Sequence, residues 1–498
     1  MKELYDETPL SPKAVPGATR VDERAIYHDP KHPFYIARPP VHPKLVHGTF
    51  RNIKWAVMAV WLTLFCGLPW IRFDRGPGLP DQALLFDFAH QRLYLFGLEI
   101  WPQEFYYVTG MLVLAGLGLF AATALAGRVW CGYACWQTVW TDLMIQAERL
   151  WQGDRNARLK LAKAPWSFVK AWRLAGTHLT WLLISVATGI IFVSWFNDAP
   201  TLVSNLWHGA ASPLVLTFIF IFAAFPYVFG GLVREQVCTY MCPWPRIQAA
   251  MVDGDTLLIT YRNYRGEPRG PHKKGESWEG RGDCVDCEQC VAACPAGIDI
   301  RHGAQLECIQ CGLCIDACDE IMDKVGRPRK LVAYDSYRNL VAQSHGDRAA
   351  FRFVRPRTLV YTGVFLLACA VIAFGLAHKT VLDVNVVPDR NPLFVQLSGG
   401  GIRNGYIVRI LNKKLGAHKF DIALNGLNNA GLSYVGIDAG EPPVEVKSDD
   451  VRAVKVFVTV SAEEAAKMPA SVNIAFTVRD TVDGTETTRN TNFKGPGQ

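Results

Sequence analysis

Charge is scarce in this chain: 19% of its 498 residues are Asp, Glu, Lys or Arg, against 50% hydrophobic. The mean hydropathy of +0.10 is high for a soluble protein of this size. No short repeat occurs, and 11% of the residues are aromatic, which excludes coiled coil, collagen and pure disorder. The first 50 residues are polar and Pro-rich and lack an apolar h-region, so no cleavable signal peptide is expected. That stretch reads as a poorly ordered tail. Residues 379–498 contain no cysteine, which excludes a disulfide-pinned antibody domain there. A small secreted disulfide scaffold is excluded too, because eight of the 14 cysteines crowd into residues 284–318. The haem-attachment pattern C-x-x-C-H is missing. A net charge of +7 is modest and reads as a membrane-topology signal, with no nucleic-acid partner implied.

Five runs lack Lys, Arg, Asp and Glu in their interiors: 55–71, 105–126, 175–196, 213–233 and 358–377. A spanning helix needs about 20 mostly apolar residues. One such run could be a buried core helix, but five in one chain predict membrane spans. Lys and Arg number nine in residues 1–54, three in 72–104, eight in 128–173, none in 197–212 and seventeen in 234–356. The alternation predicts that 1–54, 128–173 and 234–356 face the cytoplasm and that the C-terminal part faces outward, into the periplasm if the cell is Gram-negative. Residues 131–151 are apolar but contain Asp142, Glu148 and Arg149, which predicts an interfacial amphipathic helix. Residues 79–98 are predicted to lie on the outer surface.

The fold class that follows is mixed. A polytopic α-helical membrane domain of five spanning helices carries an inserted two-cluster ferredoxin module and a C-terminal all-β immunoglobulin-like sandwich. The sandwich is predicted from seven or so short alternating runs, such as Val454-Lys-Val-Phe-Val-Thr-Val, punctuated by Asn, Gly, Asp and Pro. The expected divisions are a tail at 1–54, a membrane domain at 55–250, the ferredoxin domain at 251–356, a fifth span at 357–378 and the sandwich at 379–498.

Cysteine spacing carries the chemistry. Cys284-x2-Cys287-x2-Cys290-x3-Cys294-Pro recurs as Cys308-x2-Cys311-x2-Cys314-x3-Cys318, the spacing of bacterial two-cluster ferredoxins. In that pattern the fourth cysteine serves the other cluster. Cys284, Cys287, Cys290 and Cys318 are therefore expected to hold one [4Fe–4S] cluster, and Cys308, Cys311, Cys314 and Cys294 the second. Asp319 replaces the final Pro in the second copy. Zinc knuckles would need paired C-x2-C units, which fits less well, and disulfides are disfavoured in a cytoplasmic module.

A second pattern is C-x3-C, at Cys131/Cys135 and Cys238/Cys242, each at the exit of a predicted span and each followed by an aromatic and a Gln. Residues i and i+4 share a helix face, so each pair could grip one ion, and soft thiolates select Cu(I), zinc or iron–sulfur. Four buried, unligated cysteines are the alternative. Cys66 and Cys369, alone in spans, read as packing residues, as do Met111, Met144 and Met251. His178 and His208 do not pair for a buried haem. His28, His32, His42 and His47 leave a weak metal site in the tail open.

The order of these parts resembles the cytochrome c oxidase accessory protein family (CcoG/FixG/RdxA) over nearly the whole chain. The resemblance implies assembly of the cbb-type haem–copper oxidase, with reduction of Cu(II) to Cu(I) before copper delivery. It implies that the eight ferredoxin cysteines are cluster ligands and that Cys131, Cys135, Cys238 and Cys242 form the copper-binding or reducing site. Expected partners are the membrane, copper ions, oxidase assembly factors or a copper transporter or chaperone, and an unidentified cytoplasmic electron donor; a homodimer is left open. A quinol dehydrogenase and a non-enzymatic assembly scaffold are the rival readings.

Overall fold

The computed structural model describes residues 41–495, apart from 76–78, 274, 348–349, 379, 381, 415, 428, 436, 438–441 and 448–449. Among the described residues, five helices are long and apolar enough to cross a membrane: Thr49–Trp70, Pro102–Ala126, Phe168–Ser194, Pro213–Val233 and Pro356–Ala377. Apolar side chains on them are exposed in long stripes, among them Leu112, Leu183, Phe220 and Leu367. Such surfaces are stable against lipid and costly against water. Met111 lies among these exposed residues instead of packing inside, whereas Met144 and Met251 are buried.

The mixed fold class read from the sequence holds. The described residues divide into two compact units, the first mainly of 41–74 and 80–372 and the second mainly of 373–495. In the first unit, helix α1 (Thr49–Gly67) is followed by a three-stranded antiparallel meander, β1 (Leu84–Asp87), β2 (Arg92–Leu95) and β3 (Leu98–Ile100). Then come α2 (Tyr106–Ala126), α3 (Val129–Tyr133) and α4 (Trp136–Gln152). Helix α5 (Phe168–Ser194) packs on α6 (Pro213–Phe225). Pro226 lacks an amide N–H, and from there the span continues as a π-helix to Val233.

The stretch expected to lie at the interface is instead buried inside the first unit. Asp142 and Glu148 on α4 are 5% and 4% exposed. Asp142 pairs with Arg51 at 3.3 Å and with Lys54 at 3.1 Å. Glu148 is held between Arg158 and Arg234. Charges can be buried this way only when paired. Asp142→Ala should therefore strand two buried cations and cost about 3–5 kcal/mol. Thermal unfolding in detergent checks this, and a midpoint equal to wild type would contradict it.

The expected loose tail is also corrected where it is described. Val46 is buried among Cys131, Ile309 and Cys311, Lys44 N donates to Ala292 O at 2.8 Å, and Leu45 N donates to Asp154 at 3.0 Å. Residues 1–40, with His28 and His32, lie outside the described residues.

The second unit is a β-sandwich. One sheet orders Gly431–Val435, Asp450–Val460, Ile402–Asn412 and Leu382–Pro388, with Val395–Gln396 also on Ile402–Asn412. The other orders Val444–Val446, His418–Asn425, Ser471–Asp480 and Glu486–Lys494. All pairings are antiparallel. Alternate residues such as Val454, Val456, Val458 and Val460 point into one core with Phe420 and Phe476, as a pleated strand requires.

Candidate functional site

The two ferredoxin repeats fold alike because their loops share one backbone pattern. Asp286 and Glu288 have φ of 53° and 54°; Gln310 and Gly312, at the equivalent positions, have 58° and 76°. Alternating left-handed residues turn successive N–H groups into a concave nest, which suits an anionic cluster. Each loop then enters a helix, Gln289–Ala293 after Glu288 and Leu313–Lys324 after Gly312. Gly312 is also sterically required, because a Cβ there would fall 2.6 Å from the Phe50 ring.

The cysteines line two cavities. Cys284, Cys287, Cys290 and Cys318 surround one of about 360 Å³, together with Tyr261, Arg301 and Leu331. Cys294, Cys308, Cys311 and Cys314 surround another of about 340 Å³, which Cys290 also reaches. Burial pushes the thiols of Cys290, Cys308 and Cys318 up to about 12 and that of Cys294 up to about 11. Thiolates are stable in such cavities only beside cations, which iron supplies. Nest, cavity and donor set thus all fit a [4Fe–4S] cluster in each place. Asp319, where the first repeat has Pro, accepts a hydrogen bond from Lys330 N at 2.8 Å and ties the middle of helix Leu313–Lys324, beside Cys318, to the chain that follows it.

The C-x3-C pairs are arranged differently from the helical reading. Cys131 lies in α3, but Cys135 is extended (φ −63°, ψ 129°) and starts α4. Cys238 lies in the π-helical turn Val237–Met241, and Cys242 is extended (φ −78°, ψ 123°). Pro243 follows Cys242, and a residue before Pro is driven out of the helical region. Each pair therefore straddles a helix end and does not share a helix face.

The two motifs brace each other. Gln137, two residues after Cys135, donates to Phe229 O at 2.7 Å and Arg234 O at 3.1 Å, carbonyls of the π-helical segment Pro226–Val233 and of the residue that caps it, ahead of Cys238. Gln248, six residues after Cys242, accepts from Cys131 Sγ at 3.3 Å and donates to Thr123 at 3.1 Å. It is completely buried. The four thiols are near enough to act on one another electrostatically, and burial pushes Cys238 up to about 12. Among the described residues, no three His, Cys, Asp or Glu converge around a single ion, and this includes the four C-x3-C thiols. A cavity of about 410 Å³ reaches Cys238, lined also by Gln137, Asp142, Glu235, Pro295 and Ile309.

The first C-x3-C motif lies directly against the second ferredoxin loop. Tyr133 Oη donates to Cys311 O at 2.9 Å. A Cβ on Gly132 would come within 2.6 Å of Ile309 O and 3.0 Å of Cys311 Cα. Gly132→Ala should force these segments apart and cost about 1–3 kcal/mol. A lower unfolding midpoint with full iron content is the expected result; an unchanged midpoint would mean that the loop yields freely. The sequence signal for Gly132 is slight: a glycine directly after the first cysteine of a C-x3-C motif.

The remaining sequence candidates stay apart from this site. His178 Nδ1 sits 3.0 Å from Tyr227 Oη, and His208 bonds to Ser204 O. His42 is held down to about 4 by burial and by Arg158, Arg234 and Arg155, a cationic setting hostile to a metal ion. Cys66 and Cys369 are partly buried within spans.

Residues 233–337 match the family of the 4Fe-4S dicluster domain, and residues 108–153 match a 4Fe-4S binding domain. Residues 372–496 match the immunoglobulin-like fold at the C-terminus of FixG. The chain is 46% identical to protein RdxB of Cereibacter sphaeroides over 467 residues, covering 93% of this chain and 98% of that one. It is 45% identical to nitrogen fixation protein FixG of Rhizobium meliloti over 459 residues, 86% of this chain and 88% of FixG. Protein RdxA of Cereibacter sphaeroides is 48% identical over 403 residues, 80% of this chain and 85% of its own length.

Proposed function

This chain belongs to the FixG/RdxA family of membrane iron–sulfur proteins, and from that premise we propose that it is a cupric reductase serving maturation of a cbb-type haem–copper oxidase. Each Cu(II) takes up one electron and leaves as Cu(I). When bound, the two clusters supply one-electron redox chemistry and need no organic substrate. Cys284, Cys287, Cys290 and Cys318 would hold one, and Cys294, Cys308, Cys311 and Cys314 the other. Cys131, Cys135, Cys238 and Cys242 would take the copper, since thiolates favour Cu(I) over Cu(II). Four thiols that do not yet converge must close on the ion as it binds, and the cavity beside Cys238 gives a small ion room to enter.

The observation that carries this reading is the packing of Cys131–Tyr133 on Ile309–Cys311. It places a thiol of the candidate copper site in the same buried cluster as a thiol of the second ferredoxin set. In the cell, the ferredoxin segment would face the cytoplasm, where an electron donor is available, and the sandwich would face the periplasm. A deletion strain tests the physiological role: its cbb-type oxidase should be copper-poor and recover with the wild-type gene. Oxidase with full copper and activity in that strain would refute it.

A further inference from the structure

Two arginines near the cluster-binding cysteines differ in their surroundings: Arg301 lines a cysteine-lined cavity, and Arg128 is hydrogen-bonded to the carbonyl two residues before Cys308. Arg301 lines the cavity of Cys284, Cys287, Cys290 and Cys318. It is paired with Asp299 at 2.6 Å, with Glu288 at 3.6 Å and with Asp286. Three carboxylates therefore offset its charge. Arg128, just before α3, is 6% exposed. Its Nη1 donates to the Leu306 carbonyl, but its Nε is buried without a hydrogen-bond partner. No ion pair to a carboxylate is formed by Arg128 among the described residues. It lies three residues before Cys131 and is hydrogen-bonded to the carbonyl two residues before Cys308, so it ties the first C-x3-C motif to the second ferredoxin set.

A buried guanidinium with no counter-charge is strongly disfavoured. An anionic centre at the neighbouring thiolates would remove that penalty. We propose that Arg128 is the counter-charge of this junction. Its uncompensated charge raises the reduction potential of the centre held by Cys294, Cys308, Cys311 and Cys314 above that of the centre held by Cys284, Cys287, Cys290 and Cys318. The direction follows from electrostatics: reduction adds negative charge, and a nearby buried cation stabilises the more negative state. The bias favours the end of the protein where Cys131 and Cys238 lie. This makes Arg128 a positioning and tuning residue, not a ligand.

The test is an anaerobic redox titration of the full-length protein in nanodiscs, followed by EPR, with no copper present. It is therefore independent of the copper reading: Arg128 can tune the centre whether or not Cu(II) is the acceptor. Wild type should show two waves. R128M should lower the higher wave and leave the lower one in place, while R128K should stay near wild type. An unmoved higher wave in R128M, or an equal fall in R128K, would overturn the proposal. Iron analysis covers loss of assembly. Iron lost from R128M and R128Q but kept in R128K supports the requirement for charge. Equal loss in R128K overturns it, because packing would then be what Arg128 supplies.

Discussion

Replacing Cys131, Cys135, Cys238 and Cys242 together by Ala is expected to leave both clusters assembled and to cut Cu(II) reduction well beyond the ~10–100-fold typical of losing a residue that only supports a metal ligand. The four thiols lie outside the two cluster cavities, so iron and sulfide content should match wild type. The cost in stability should be small, near the ~1 kcal/mol centre of single-mutant distributions for each site, because buried Cys→Ala removes one sulfur. Stopped-flow mixing of the reduced variant with Cu(II) separates the two roles. A wild-type rate and stoichiometry would reduce the four residues to packing. His42 would then be a poor place to look for the copper site, since arginines surround it.

The second large effect is a crossed one. Cys294→Ser is expected to injure the centre of Cys308, Cys311 and Cys314 and to spare that of its sequence neighbours Cys284, Cys287 and Cys290. Cys318→Ser should do the reverse. The reason is the lining of the two cavities, in which each fourth cysteine joins the distant repeat. Iron should fall from about eight toward about four atoms per chain in either variant, the content of one [4Fe–4S] cluster. EPR of the reduced double variant should show neither signal. Loss of the neighbouring centre in Cys294→Ser would mean that each repeat holds its own cluster.

What could be read from the sequence was what depends on local spacing. The doubled C-x2-C-x2-C-x3-C pattern, the five apolar runs and the alternation of the last 110 or so residues each specify a unit without long-range help. The burial of Asp142 and Glu148 could not be read that way. Their partners Arg51 and Lys54 belong to the stretch that reads as a tail, Arg234 is 86 residues from Glu148, and Arg158 reaches Glu148 only because the chain turns back after α4. A charge inside an apolar helix then looks interfacial until its partner is known. The C-x3-C spacing misled for a local reason. It matches a helical i,i+4 pair, yet Pro243 and the start of α4 make Cys242 and Cys135 extended. The contact between Gly132 and Ile309 joins loops 177 residues apart, and only the fold brings them together.

The most direct measurement of the central claim is an anaerobic titration of the dithionite-reduced, desalted full-length protein with Cu(II), followed by EPR. Cupric reduction requires that the Cu(II) signal fail to appear while the reduced-cluster signals disappear, one Cu(I) formed for each cluster reoxidised. A chelator specific for Cu(I) should recover that copper. A growing Cu(II) signal beside undiminished cluster signals would contradict the account.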